Sequence, residues 1–462
     1  MSGTRRTTQL FLASTLYGTA TLAAALDAGL FGPADRRILL VSNNASVPET
    51  TPGPAEQPGF GRLAARFDEV RDWNAFIAPF HPSGWRPRAE DAPLWERQVR
   101  ELWGLGSDRV ELVVESVQVA PAQAVVQLFP GAPVEVYADG LMSYGPTRDK
   151  LDPQLGVRIR RLLHLDLVPG LEPLLLSEFG VPAELVPDAA FLAVLDELAA
   201  EAGESPGFAA ETEAVRAAPE RPAVLLGQYL SALGLITPQE EEELHVRMVR
   251  GAHALGHENL VFKPHPSAPA RWSRLVEEEA ERLGARLTVI GTPVLAEVLY
   301  RRLDPALVAG CFSTGLLTAS ALFRLPVART GTGPLLDRIS PYQNSNRIPL
   351  TLVDALLPEL TDPRAVRDWR PPGPAVLEEL TGLVTAVGYA MQSQILAGRR
   401  QEAERYLARH LDQHTWRYFK KRRLTALGLP GAVPQQLAFI PRSPAVRRVV
   451  RRVRHLRRTA LG

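Results

Sequence analysis

Cysteine is nearly missing from this sequence: Cys311 is the only one in 462 residues, which excludes an internal disulfide and a cysteine-rich metal site. Such usage fits a reducing compartment. An excess of one charge is missing too. The formal net charge is +1, so the molecule as a whole lacks the basic field of a nucleic-acid-binding protein, and no specific nucleic-acid partner is expected. No apolar run reaches the roughly 20 residues of a membrane span. No glycine-rich dinucleotide fingerprint and no Walker loop follows any strand candidate. What remains is an ordinary globular balance, 45% hydrophobic and 22% charged, in a chain longer than one core usually serves, so two domains are expected.

Near the start, Arg5 and Arg6 stand before an apolar stretch from Leu10 to Leu26. Polar Thr7, Thr8 and Gln9, and then Tyr17, Gly18, Thr19 and Thr21, argue against a secretory signal and for a buried strand over Gln9–Leu16 that turns into a helix. Further strands are expected at Ile38–Val41, Val110–Val114 and Val134–Tyr137, with helices around Thr19–Leu26, Leu94–Leu102 and Pro121–Leu128. Short apolar strands separated by helical patterns signal βαβ units and a parallel sheet. Residues 201–222, rich in Glu, Ala, Gly and Pro without apolar periodicity, read as the interdomain linker. The alternation then restarts. Ala223–Leu226, Asn259–Phe262, Arg286–Ile290 and Ala306–Ala309 read as strands, and Thr237-Pro238-Gln239-Glu240 as a capping box opening a helix. Expected is an α/β protein with an N-terminal Rossmann-like domain over residues 1–200, a second over 223–374, and C-terminal helices with a basic tail over 375–462. Two such halves around a cleft are the organisation of the GT-B glycosyltransferases, an analogy of fold that does not by itself give function.

Three constellations at strand ends carry chemistry. Tyr137-Ala138-Asp139-Gly140 places Asp139 at the carboxyl end of a strand, where an open parallel sheet binds ligands and an aspartate can act as a general base or simply cap a turn. In Lys263-Pro264-His265-Pro266 two prolines hold His265 with little backbone freedom, suited to hydrogen-bonding or protonating a leaving phosphate. Ser313-Thr314-Gly315 opens a helix with paired hydroxyls beside free N–H groups, an anion site as well as an N-cap. The His81-Pro82-Ser83 tripeptide reads as background, Cys311 as a small buried residue, and His253 with His257 as structural, since no third ligand accompanies that spacing.

In their order these motifs resemble those of bacterial sialyltransferases and the polysialyltransferase-like family: an acidic pair before glycine, then His-Pro, then a serine-rich phosphate motif. The resemblance runs from about Gln9 to Arg329. Ala138 departs from it in the first acidic slot, and Thr314 in the second serine position. It implies inverting transfer of a nonulosonic acid from a CMP conjugate to a glycan or glycolipid, with Asp139 as base and His265 assisting CMP departure. Lys263, Ser313, Thr314, Glu297, Gly227 and Gln228 would bind the donor nucleotide, Glu297 through the ribose hydroxyls. No metal or other cofactor is implied, and no Asp-x-Asp pair stands at a strand end. Alternatives are a wall-polymer polyol-phosphate polymerase, another GT-B sugar-nucleotide enzyme such as an epimerase, or a non-catalytic glycan- or nucleotide-binding scaffold.

The last segment, Pro441–Gly462, holds eight arginines and no acid. Within it Val446, Val449, Val450, Val453, Leu456 and Ala460 share one helical face, the pattern of a basic amphipathic helix on anionic lipid. Trp416, Tyr418 and Phe419, beside Lys420 to Arg423, are expected to reinforce it. A cytoplasmic protein, peripheral on the inner face of the membrane, is the expected localisation.

Overall fold

The computed structural model describes residues 5–265 and 268–432. Seven strands form the first sheet: β1 (Thr7–Ala13), β2 (Arg36–Val41), β3 (Glu69–Asp72), β4 (Arg109–Glu115), β5 (Val134–Ala138), β6 (Ile159–His164) and β7 (Ala183–Leu185). Their spatial order is β3-β2-β1-β4-β5-β6-β7, every pairing parallel. The second sheet holds β8 (Ala223–Leu226), β9 (Asn259–Lys263), β10 (Arg286–Val289), β11 (Leu307–Gly310) and β12 (Val327–Arg329), ordered β10-β9-β8-β11-β12 and again all parallel. Each sheet therefore reverses its strand order once, between β1 and β4 and between β8 and β11. Ligand crevices form at such points, beyond the carboxyl ends of the strands. Two Rossmann-like domains of this kind make a GT-B architecture.

The inner strands β1, β8, β9 and β11 are buried on both faces, as parallel strands covered by helices must be. Alternate residues divide between two cores. Leu10 and Leu12 of β1 join Ile38 and Leu40 of β2 on one face, whereas Phe11 and Ala13 join Leu39 and Val41 on the other. β1 ends at Ala13, three residues before the expected Leu16, because Thr15 caps the Leu16–Asp27 helix and the chain must leave the sheet to reach it. Residues 201–222 connect the sheets in helical form: the Asp188–Glu204 helix ends there and the Pro206–Arg216 helix follows. Both are rich in Ala and Glu, strong helix formers, and Phe208, Thr212 and Val215 give the second a buried face. The capping box forms at Thr237, whose hydroxyl accepts from Glu240 N–H while the Glu240 carboxylate accepts from Thr237 N–H.

The Pro374–Met391 helix returns the chain to the first domain, where Gln392 just beyond it donates to the Arg148 carbonyl. Tyr418 and Phe419 are only 6% and 3% exposed, and the Tyr418 hydroxyl donates to Asp354 at 2.9 Å. This corrects the expectation that they reinforce a lipid-binding surface: a core position and a buried carboxylate already use them. The tail Pro441–Gly462 lies outside the described residues. Among the described residues no helix is long and apolar enough to cross a membrane.

Candidate active site

Past β1 the chain runs through Ser14 and Thr15 into the Leu16–Asp27 helix. Thr15 Oγ1 accepts from Gly18 N–H at 2.8 Å and donates its own proton to Asp139 Oδ2 at 3.1 Å. Asp139 stands immediately beyond β5, so a strand end and a helix start aim it together. A Cβ on Gly18 would meet Asp139 Oδ2 and the Tyr137 hydroxyl, each at 3.1 Å, so glycine permits that approach. Burial pushes the Asp139 pKa above the ordinary aspartate value, and the Thr15 hydrogen bond opposes the shift.

A second carboxylate joins it that no sequence motif singles out. Glu115 ends β4, at the strand-order reversal of the first sheet. Its Oε2 accepts from Ser14 N–H at 3.3 Å and lies 3.3 Å from the Tyr137 hydroxyl, which also donates to the Leu12 carbonyl at 3.0 Å. Burial first, and the negative charge of Asp139 second, push its pKa up to about 7. The one trace in the sequence is an acidic residue closing an apolar strand run. Only the pairing of β4 with β1 and β5 shows what it faces.

In the second domain the loops after β8, β9 and β11 meet at the other strand-order reversal. Gly227 N–H donates to the Lys263 carbonyl at 2.9 Å, tying the exit of β8 to that of β9. Gln228 Oε1 accepts from Phe312 N–H at 2.9 Å, tying β8 to the loop before Ser313. Tyr229 packs against the His265 ring, centroids 6.2 Å apart, and edge-on against Trp272 at 5.4 Å. Lys263 is buried and its ammonium donates to the Thr292 carbonyl at 3.1 Å; burial lowers its pKa to about 8. Burial of its ring and the nearby Lys263 charge lower the pKa of His265, which favours the neutral imidazole. Ser313 is the N-cap of the Thr314–Ala321 helix, its Oγ accepting from Gly315 N–H at 3.2 Å, which leaves its hydroxyl proton for an anion. Cys311 is fully buried, and burial raises its pKa far above the usual thiol range, so it is no nucleophile.

The halves touch where these groups converge. A Cβ on Gly140 would lie 3.1 Å from Thr314 Oγ1, so the loop carrying Asp139 abuts the helix start carrying Ser313 and Thr314. Deeper in the seam the Tyr17 hydroxyl lies 3.2 Å from Thr318 Oγ1. Glu297 is 3% exposed, and burial raises its pKa to about 7 against an opposing hydrogen bond from Thr318. The structure thus gathers Asp139, Gly227, Gln228, Lys263, His265, Ser313 and Thr314 along facing sheet edges, and places Glu297 beneath them at the domain seam.

The sequence model of the alpha-2,8-polysialyltransferase family (POLYST) matches residues 9–331. The chain belongs to this family. It is accordingly a glycosyltransferase. Ala138 packs on the core face opposite Tyr137, while Glu115 brings a second carboxylate beside Asp139 from β4. Among solved structures it is similar to the 2,6-sialyltransferase of Photobacterium sp. JT-ISH-224, in a ternary complex with CMP and lactose, at 12% identity and a TM-score of 0.45, over 77% of this chain and 79% of that one. It is similar also to the GT-B domain of the Photobacterium damselae sialyltransferase, at 14% identity and a TM-score of 0.44, over 75% and 96% of the two chains. It is similar as well to a UDP-GlcNAc 2-epimerase from Methanocaldococcus jannaschii, at 12% identity and a TM-score of 0.44, over 82% and 99% of the two chains. No curated protein sequence matches the chain at a significant level.

Proposed function

We propose that this glycosyltransferase moves a nonulosonic acid from its CMP conjugate to a hydroxyl of a glycan acceptor, with inversion. The observation that carries the reading is the contact of Gly140 with Thr314, which sets a carboxylate base against an anion-binding helix start. Asp139 takes the proton of the acceptor hydroxyl as its oxygen bonds to the anomeric carbon. The bond from that carbon to the CMP phosphate oxygen breaks, and the electron pair leaves with CMP. The growing phosphate charge is met by the Ser313 and Thr314 hydroxyls, the helix N–H groups and the His265 N–H, donors fixed before the reaction starts. Gly227 and Gln228 border the nucleotide, Glu297 serves the ribose side, and the buried Lys263 contributes its positive field rather than a direct contact. The arginine-rich stretch Pro444–Leu461 holds the enzyme to anionic lipid at the cytoplasmic face, where acceptors for surface polysaccharide are built.

Asp139→Asn tests this reading. Turnover should fall by roughly 100- to 10,000-fold, the usual cost of losing a general base, while CMP affinity stays near that of the unchanged protein. Near-normal rates in the variant would remove Asp139 from the mechanism.

A further inference from the structure

His265 and Ser313 follow the carboxyl ends of β9 and β11, and the opposite edge of the same sheet holds a cavity of its own. It measures about 400 Å³, within the range of small-ligand sites, and opens beside Ala306 and Pro326 at the amino ends of β11 and β12. Arg324, Arg367 and Arg370 line it together with the half-buried His257, and among the described residues no aspartate or glutamate does. Asp188 of the first domain feels the charge of Arg324, but among the described residues none of the three arginines is in a salt bridge. Guanidinium groups gathered without a countercharge repel one another, and a bound anion relieves that repulsion.

Arg324 stands where arginine is a poor choice for the backbone. Beyond the Thr314–Ala321 helix, Leu325 N–H donates to the Ala319 carbonyl at 3.0 Å, and Arg324 just before it has φ 58°, the left-handed position that glycine usually fills. Helix termination therefore does not call for this side chain. What the chain gains from it is a guanidinium on the cavity wall.

A narrower cleft of about 120 Å³ adjoins the cavity and shares Ser320, Arg324, Trp369 and Pro371 with it. Leu317, Leu356 and Leu357 line it further, with Val168 and Pro169 of the first domain. Trp369 Nε1 donates to the Leu356 carbonyl at 2.8 Å, which fixes the plane of the indole. Sugar hydroxyls would be left without partners among these leucines and prolines, which is unfavourable. A heterocyclic base, apolar on its faces and polar only at its rim, suits a narrow cleft with an aromatic wall. Phosphates among arginines and a flat ring in the cleft together describe a nucleotide. We propose that cavity and cleft form a second nucleotide site, at the far end of the helix whose start is read as the donor phosphate site. The helix has eight residues, so the two sites are about 12 Å apart along it. This goes beyond the transferase reading and does not depend on it.

ATP, inorganic triphosphate and an oligosialic acid are titrated calorimetrically into the full chain. ATP should bind, and triphosphate at least about tenfold more weakly, because it leaves the cleft empty. Arg324→Gly and Arg367→Ala should each weaken ATP about tenfold, as the loss of a charged hydrogen-bond donor to phosphate does. Both arginines are exposed and glycine suits the Arg324 backbone, so neither variant disturbs the core. The variant carrying both His265→Ala and Ser313→Ala should bind ATP as the parent does, which separates this site from the donor site. Absence of ATP binding, indifference of ATP to both arginine variants, or loss of ATP binding in the His265 and Ser313 variant would overturn the proposal. Triphosphate bound as tightly as ATP would make this a bare phosphate site, and oligosialic acid bound more tightly than ATP would make it a glycan site; either result also overturns it.

Discussion

Gly140 and Thr314 meet across the two domains so closely that a single added methyl group would stand 3.1 Å from the threonine hydroxyl. The residue before Gly140 is the proposed base, and the residue before Thr314 caps the helix proposed to hold phosphate. Their spacing therefore sets how far the attacking oxygen stands from the departing phosphate. Gly140→Ala should push the halves apart by a fraction of an ångström. We expect turnover to fall roughly 10- to 100-fold, with CMP affinity changed little, since the donor groups lie in one domain. Single-turnover rates and CMP titration measure the two separately, and equal losses in both would mean that the contact serves nucleotide binding instead.

Glu115 predicts a pH dependence. Its carboxyl, held up to about 7, is neutral below that pH and ionised above it, beside Asp139. The added negative charge makes Asp139 a stronger base, so the rate should climb through pH 7. Glu115→Gln keeps the shape and the neutral state at every pH, and that limb of the profile should vanish. Stability moves the other way. A carboxyl whose folded pKa is raised above 4.5 destabilises the fold progressively as pH rises from 4.5 toward 7, so the glutamine variant should melt higher than the parent at pH 8 and alike at pH 4. A uniform loss of rate at all pH values would leave Glu115 a purely structural role.

What is legible in the sequence, and what is not, divides along a physical line. Asp139, His265 and Ser313 each follow a short apolar strand, and the strand period with the turn and cap residues beyond it is local information. Ala223–Leu226 is readable to the residue for the same reason. Glu115 is not, because its importance arises from the lateral pairing of β4 with β1 and β5, contacts separated by many residues. β3, Glu69–Asp72, is an edge strand of alternating charge without an apolar run, so nothing local marks it. The helix at Pro206–Arg216 reads as linker because its apolar positions are few, yet tertiary packing buries Phe208 completely. Tyr418 and Phe419 sit among basic residues in sequence and inside the core in space.

The basic tail carries a prediction of its own, argued from sequence. Deleting Pro441–Gly462 should release the protein from anionic vesicles and preserve transfer to a soluble acceptor, and binding of the intact chain should weaken as salt rises. Sedimentation with vesicles of defined charge reads both effects. Undiminished sedimentation of the shortened chain would place the lipid contact elsewhere.

The central claim, that CMP lies between His265 and the Ser313–Thr314 helix start, is tested most directly by nucleotide binding to the pure protein and three variants. Calorimetric titration of CMP against the parent, His265→Ala, Ser313→Ala and the double variant forms a complete cycle. Each single change should weaken CMP binding about tenfold or more, as the loss of a hydrogen bond to a charged group does. The two effects should fall short of adding, because both side chains address one phosphate. Cytidine, which lacks that phosphate, should be indifferent to either change, and UDP should compete poorly. Equal CMP affinity in the double variant, or displacement of CMP by UDP, would contradict the account and favour a wall-polymer or epimerase chemistry on the same fold.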